Sequence, residues 1–313
     1  MRIYSYNIKL MEEKRKCKRK TFDFRKKTDN LWRETKGKDG NRGTGMKFPD
    51  RFSRQDQSAM TDRTQIKDGD KSFSKLFDII ERVAKSRSGL KGKEIAEECG
   101  FPTSTTFRML KFLVEKGYLR SSGSRYSLGL GLARLGNIAA AQNPLLKVSR
   151  PHLAELSSKT METVHLAELK DDRILYVDKV EGIRPVRMGS LIGNYSPLYC
   201  TGIGKAILAF LPGKTVDELC ARIRFTPFTE HTIRTPDALK SELAEIRKRG
   251  YAIDNCEHEL GVYCLAAPIL DYSGAVVAGI SVSGSELYLR EKTDEFAQLV
   301  KATAEKISAE YNG

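Results

Sequence analysis

The chain has 313 residues, 40% hydrophobic and 30% charged, with 54 Lys+Arg against 40 Asp+Glu for a net charge of +14. That length predicts two folded domains plus a further segment, and no apolar run reaches the ~18 residues of a membrane span. The N-terminus turns basic too soon for a secretory signal, and the six cysteines form no CxxC pair. A cytoplasmic chain in a reducing compartment, with no membrane partner, is expected.

Charge is distributed unevenly. Residues 1–70 carry +9, residues 71–149 carry +8 and residues 150–313 carry −3. The basic excess of the first half predicts a polyanionic partner there.

Residues 1–70 lack hydrophobic periodicity and hold the charge run EEKRKCKRKTFDFRKK and the polar, Gly-rich GKDGNRGTG. They are expected to be disordered. Two accounts fit them: a basic arm adding nonspecific DNA affinity, or a true translation start at Met46 or Met60. The second is preferred, because Ser72 onward already begins a complete domain.

Residues 71–129 read as a winged helix-turn-helix. A first helix over Phe73–Lys85 has Phe73, Leu76, Phe77, Ile80 and Val83–Ala84 on its apolar face. Ile95, Ala96 and Cys99 share one face of a second helix. Gly100 marks a sharp turn and Pro102 the next helix start. Phe107, Leu110, Leu113 and Val114 form the buried stripe of that third helix, and Gly117 ends it. Thr103, Ser104, Thr105, Arg108 and Lys111 are left on or near the other face. Hydroxyls and guanidinium groups at a helix start reach base edges and phosphates in a major groove. Leu119, Tyr126 and Leu128 anchor a two-stranded wing whose tip is Ser121–Ser124, and Arg125 in it suits a phosphate. The plainer alternative is a helical hairpin with a solvated basic face.

Residues 130–143 form a linker helix, Leu130–Gln142, whose apolar surface is expected to pair with a second copy. Residues 144–313 form the second domain. Its helices are expected over Leu145–Ser158, Gly202–Leu211, Val216–Ile223, Pro236–Arg249 and Glu286–Tyr311. Its strands are expected over Glu162–Leu169, Arg173–Val180, Arg184–Met188, Tyr251–Asp254, Val262–Leu270 and Val276–Val282. Hairpins and helices mixed in this order predict an α+β fold with a largely antiparallel sheet.

Chemistry concentrates in that second half. Thr201-Gly202-Ile203-Gly204-Lys205 opens a helix, whose free N–H groups suit an anion such as a carboxylate. A phosphate-binding P-loop fails, since it needs Gly at 199 and Ser or Thr at 206, where the chain has Tyr199 and Ala206. Lys205 is left facing either the ligand or solvent. Asp254 ends a strand and suits a ligand hydroxyl, Cys264 lies on an apolar strand, and Ser281 and Ser283 share one strand face. Asp254, Cys256, His258 and Cys264 match no tight zinc spacing, so no metal is expected. His152, His165 and His231 are scattered and read as structural or solvated. GISVSG (Gly279–Gly284) only superficially resembles the nucleophile elbow GxSxG, so no catalytic residue is expected, and no cofactor is called for.

Three ordered blocks carry a resemblance: GFPTSTTFRMLKFL (Gly100–Leu113), PLYCTGIGKAILAFLP (Pro197–Pro212) and GYAIDNCEHELGVYCLAAPILDYSGAVVAGISVSG (Gly250–Gly284). From about Ser72 to Asn312 the chain resembles the IclR family of bacterial transcription regulators. The resemblance implies a winged-helix domain, a linker helix, a GAF/profilin-like effector domain, and a homodimer or dimer of dimers on a palindromic double-stranded operator. It also implies an effector held at Gly202, Ile203, Asp254, Cys264, Ser281 and Ser283, with Met188 and Val262 as an apolar wall. Met161–Glu181 and Arg184–Lys205 are most similar to regulators of sugar-acid catabolism, among them repressors responsive to 2-keto-3-deoxygluconate. The expected function is a repressor released by a small carboxylate. An activator of the same type, an enzyme acting on sugar acids, and a constitutive architectural DNA binder are the alternatives.

Overall fold

The structure, a computed structural model, describes residues 71–184 and 189–313. The expectations for residues 1–70, for Met188 and for most of the strand over Arg184–Met188 lie outside the described residues.

The first part is built from α1 (Lys71–Ala84), β1 (Leu90–Lys91), α2 (Gly92–Cys99), α3 (Thr103–Glu115), β2 (Leu119–Ser122) and β3 (Arg125–Leu128). Ile79 and Val83 of α1, Ile95 of α2, Met109, Leu110 and Leu113 of α3 and Leu119 of β2 form its core. Gly100 ends α2 with φ 69, in the left-handed region that glycine occupies without a Cβ clash. Its N–H donates to Glu97 O at 3.2 Å, and Phe101 N–H donates to Ala96 O at 2.9 Å. The chain thereby reverses within Gly100–Pro102 and starts α3, with Pro102 at the helix cap.

Three apolar expectations are corrected here. Phe73 and Phe77 are 68% and 66% exposed, while Ile79 and Val83 fill the core. The apolar stripe of α1 is wider than the surface α2 and α3 offer it, and the 76/79/80/83 flank takes the contact. Phe107 is 42% exposed and Met109 is buried in its place. Leu128 is exposed too, at the open end of the wing. The wing sheet has order β1-β3-β2, so the two-residue β1 completes it.

α4 (Leu130–Gln142) follows, and none of its residues is buried. α5 (Pro144–Thr160) is capped by Asn143, whose Oδ1 accepts from Leu145 N at 2.9 Å and Leu146 N at 3.3 Å. The remaining strands are β4 (Thr163–Lys170), β5 (Arg173–Val180), β6 (Tyr195–Pro197), β7 (Ala252–Asn255), β8 (Val262–Leu270) and β9 (Val276–Ser285). The remaining helices are α6 (Gly202–Ala209), α7 (Gly213–Arg222), α8 (Pro236–Arg249), α9 (Glu286–Leu289) and α10 (Thr293–Asn312).

The six strands form one antiparallel sheet in the order β6-β5-β4-β9-β8-β7. The period of two along each strand separates its faces. Val164, Leu166, Leu265 and Val282 point to one face and pack with Leu153 and Leu156 of α5 and Phe296, Val300 and Ile307 of α10. Ala167, Ala252 and Ala266 point to the other, against Ile203, Ala206 and Ile207 of α6 and the apolar sides of α7 and α8. The small alanines let α6 lie close on the sheet. The chain is thus α+β, with a winged helix, a linker helix and a GAF-like domain whose sheet is antiparallel.

Candidate functional site

Two surfaces collect the polar residues singled out above. On α3, Thr103, Ser104, Arg108 and Lys111 are exposed and Thr105 is half-buried. Thr106 is fully buried, its Oγ1 donating to Pro102 O at 3.2 Å, so it belongs to the packed side of the helix. Lys111 lies 3.9 Å from Glu115 in an exposed i,i+4 pair, which leaves its ammonium available. In the wing, the Arg125 guanidinium donates to Gly89 O at 2.7 Å while the residue stays exposed. Arg120, which sequence reasoning passed over, is also exposed on the wing and donates from Nε to Ser127 Oγ at 3.4 Å.

The second surface lies where α6 meets the sheet. Register aligns Asp254 of β7 with Cys264 of β8, Cys264 with Ser283 of β9, and Ser283 with Thr163 of β4. The next row on the same face runs Ala252, Ala266, Ser281 and His165. Val262 is half-buried two positions before Cys264, on the same face. Gly202 starts α6 directly over these rows. A Cβ there would stand 3.3 Å from Ala266 Cβ, 3.4 Å from Cys264 Cβ and 3.8 Å from Asp254 Cβ, so glycine permits the approach.

The first turn of α6 divides its amides. Thr201 Oγ1 accepts from Gly204 N at 3.2 Å and Thr201 O from Lys205 N at 3.0 Å. The amides of Gly202 and Ile203 make no hydrogen bond among the described residues, and they sit at the positive end of the helix. The structure therefore brings Gly202, Ile203, Asp254, Val262, Cys264, Ser281 and Ser283 together.

Burial dominates the electrostatics. Asp254 is 3% exposed, and burial pushes its carboxyl up to about 7 despite the opposing pull of Lys205. Its Oδ1 accepts from Glu257 N at 2.8 Å. Burial also raises the Cys264 thiol well above the usual range, and Asp254 adds to the effect. Lys205 does not face solvent: it is 1% exposed, forms a buried ion pair with Glu257 and lies close enough to Asp254 to pull on its carboxyl. His165, read from sequence as structural or solvated, lies in this site, and burial, then Lys179, lowers it to about 3. Its signal was present in the alternation Thr163-Val164-His165-Leu166-Ala167, which sets His165 and Thr163 on one face. Among the described residues no group of three or more His, Cys, Asp or Glu is placed to hold a metal ion, and no helix is long and apolar enough to cross a membrane.

The arrangement offers two helix-end N–H donors, one buried carboxyl and two hydroxyls within one apolar wall, a set suited to a small hydroxylated acid. Residues 72–123 match the IclR helix-turn-helix domain, and residues 138–309 match the C-terminal domain of bacterial IclR transcriptional regulators. The chain is 34% identical over 256 residues to the HTH-type transcriptional regulator KdgR of Escherichia coli K12, spanning 80% of this chain and 97% of that protein. It is 32% identical over 247 residues to the transcriptional repressor IclR of the same organism, spanning 77% and 90%. The crystal structure of Thermotoga maritima IclR superimposes with a TM-score of 0.68 at 36% identity, covering 78% of this chain and 99% of that one.

Proposed function

The chain belongs to the IclR family of bacterial transcriptional regulators, and from that premise we propose that it represses a sugar-acid catabolic operon and leaves its operator when a small carboxylate effector binds. Thr103, Ser104, Thr105, Arg108 and Lys111 of α3 meet the major groove, and Arg125 of the wing meets a phosphate. The effector places its carboxylate at the Gly202 and Ile203 amides and its hydroxyls at Asp254, Ser281 and Ser283. Cys264 and Val262 line the apolar wall.

One observation carries the effector site: the two unpaired amides that open α6 lie over the aligned row of Asp254, Cys264 and Ser283. The sugar-acid class is supported by the resemblance of Met161–Glu181 and Arg184–Lys205 to the 2-keto-3-deoxygluconate-responsive branch. Repression is supported by kinship to a protein named as a repressor. A homodimer, alone or paired with another, is supported by α4, which exposes Leu130, Leu135 and Ile138. Effector binding then alters how two linked α3 helices are spaced, and operator affinity falls because half-site spacing follows dimer geometry.

Fluorescence anisotropy on DNA bordering the chain's own gene tests this. The wild type should bind that DNA and release it on addition of 2-keto-3-deoxygluconate. Asp254→Ala should bind equally well and no longer respond. A variant that responds at the wild-type concentration shows that the pocket is misplaced. A variant that binds no DNA makes Asp254 a structural residue.

A further inference from the structure

The buried ring of His165 has no task in the reading above. It stands opposite Ser281 across the β4–β9 ladder and is 3% exposed. Its Nε2 lies 2.7 Å from Ser190 Oγ. Its Nδ1 lies 3.5 Å from Ser281 Oγ and 3.4 Å from Ser283 Oγ, and those two hydroxyls are 3.3 Å apart. Tyr176 packs on the ring with centroids 5.1 Å apart. Lys179, paired with His165 across β4–β5, donates from Nζ to Ser190 O at 2.8 Å and holds a positive charge beside the ring.

A neutral imidazole has one donor and one acceptor nitrogen. An apolar side chain would fill this volume with no partners to find, whereas a buried imidazole is tolerated only when its nitrogens are paired. Nε2 has a short contact. Nδ1 has two long ones, at the limit of hydrogen bonding, and can serve one hydroxyl at a time. Whichever hydroxyl it engages passes the constraint to the other through their mutual contact. Ser281 keeps capacity for a further partner, while Ser283 is also engaged by the Cys264 thiol.

We propose that His165 is a positioning residue for effector selection, whose Nδ1 fixes the direction of the Ser281 and Ser283 hydroxyl hydrogens so that the pair presents one set donor–acceptor order to the effector. A hydroxylated acid matching that order is preferred over a 2-keto acid with no hydroxyl. The proposal rests on the reading that a small carboxylate binds at this site. It separates the tasks of the site: the α6 amides take the carboxylate common to both ligands, and the serine pair under His165 tells them apart.

Calorimetric titration of the full chain with 2-keto-3-deoxygluconate and with pyruvate tests it. His165→Asn keeps a polar atom near the Nδ1 position, whereas His165→Gln reaches toward Nε2. The Asn variant should keep the wild-type preference for the hydroxylated acid. The Gln variant should lose roughly tenfold of it, the worth of one buried hydrogen bond. Pyruvate affinity and operator affinity should stay unchanged in both. A Gln variant with the wild-type preference, or equal loss in both variants, overturns the proposal. Should either variant fail to fold, ¹⁵N spectra of the wild-type imidazoles decide, and with 4 histidines in the chain the assignment is tractable. The His165 Nδ1 resonance should move with 2-keto-3-deoxygluconate and not with pyruvate, and an identical response to both overturns the proposal. If the wild type binds neither acid, the sugar-acid reading fails and takes this proposal with it. Binding with an unchanged Gln preference removes this proposal alone.

Discussion

Asp254 is governed by burial more than by charge, and this gives it a measurable signature. Its folded pKa of about 7 lies above the ordinary carboxyl value because desolvation outweighs the attraction of Lys205. Between the ordinary value and about 7 the folded chain holds a proton that the unfolded chain has released. This group's effect on stability is therefore absent below both values, grows more unfavourable as pH rises through the window, and levels off above about 7. His165 acts in the opposite sense, since its lowered folded value removes stability as pH falls from about 6.5 toward about 3. A comparison of Asp254→Asn with wild type cancels the histidine, which both carry. The variant should melt at nearly the wild-type temperature near pH 4 and gain on it with rising pH, by on the order of 2–4 kcal/mol at the plateau. A difference independent of pH would mean that Asp254 is not held protonated by the fold. Asp254, Cys264, Ser281 and Ser283 stand out as polar side chains on apolar strands, but that pattern alone reads as core, and the family resemblance is what singles them out as a set. His165 obeys the same alternation, but its partner Ser281 is 116 residues away and only the β4–β9 pairing joins them. The burial of Lys205 was not legible at all, because its partner Glu257 lies on a distant turn.

At the scale of elements, legibility tracked the strength of local punctuation. The bounds of Leu130–Gln142, Arg173–Val180, Pro236–Arg249 and Val262–Leu270 fall where the sequence puts them, because glycine, proline, asparagine or a polar turn flanks each. The strands β1 and β6, of two and three residues, are too short to show any period. The closing helix breaks between Leu289 and Thr293, although ELYLREKTDEF has helical composition throughout. The same scale sets the test of the reading helix. Under the proposed function, Arg108 is exposed on α3 with no hydrogen bond or ion pair among the described residues, whereas Arg125 already donates to Gly89 O. Arg108→Ala should cost roughly 1–3 kcal/mol of operator affinity and relax preference at one base position. Arg125→Ala should weaken all sequences alike and reduce the salt slope by about one. Anisotropy titrations on the operator and on a scrambled duplex, at several salt concentrations, separate the two. Equal operator affinity for wild type and Arg108→Ala removes the arginine from the reading set.

Across the whole molecule, charge and apolar exposure divide the labour. Residues 71–149 carry +8 and residues 150–313 carry −3, so attraction to a polyanion is confined to the first part. Between these parts lies α4, LGLARLGNIAAAQ, a helix of 13 residues of which none is buried. Leu130 is 86% exposed, Leu135 41% and Ile138 44%. Three large apolar side chains on this one helix are thus left exposed among the described residues. Phe73 and Phe77 of α1 add two more exposed apolar side chains to the DNA-facing half. Under the proposed dimer these groups meet a second copy, and the two α3 helices are thereby linked. Linkage turns the second half-site contact into an intramolecular event, which adds roughly 10²–10⁴-fold in affinity without any new DNA contact. Replacing Leu135 and Ile138 together by Asp places two like charges per chain in that contact and should leave monomers that melt normally, since neither position is in the core. Sedimentation equilibrium should then show one chain per particle, and operator affinity should fall by the avidity factor while affinity for an isolated half-site stays unchanged. A double variant that remains a dimer with full operator affinity would place the pairing surface elsewhere and leave α4 a spacer alone.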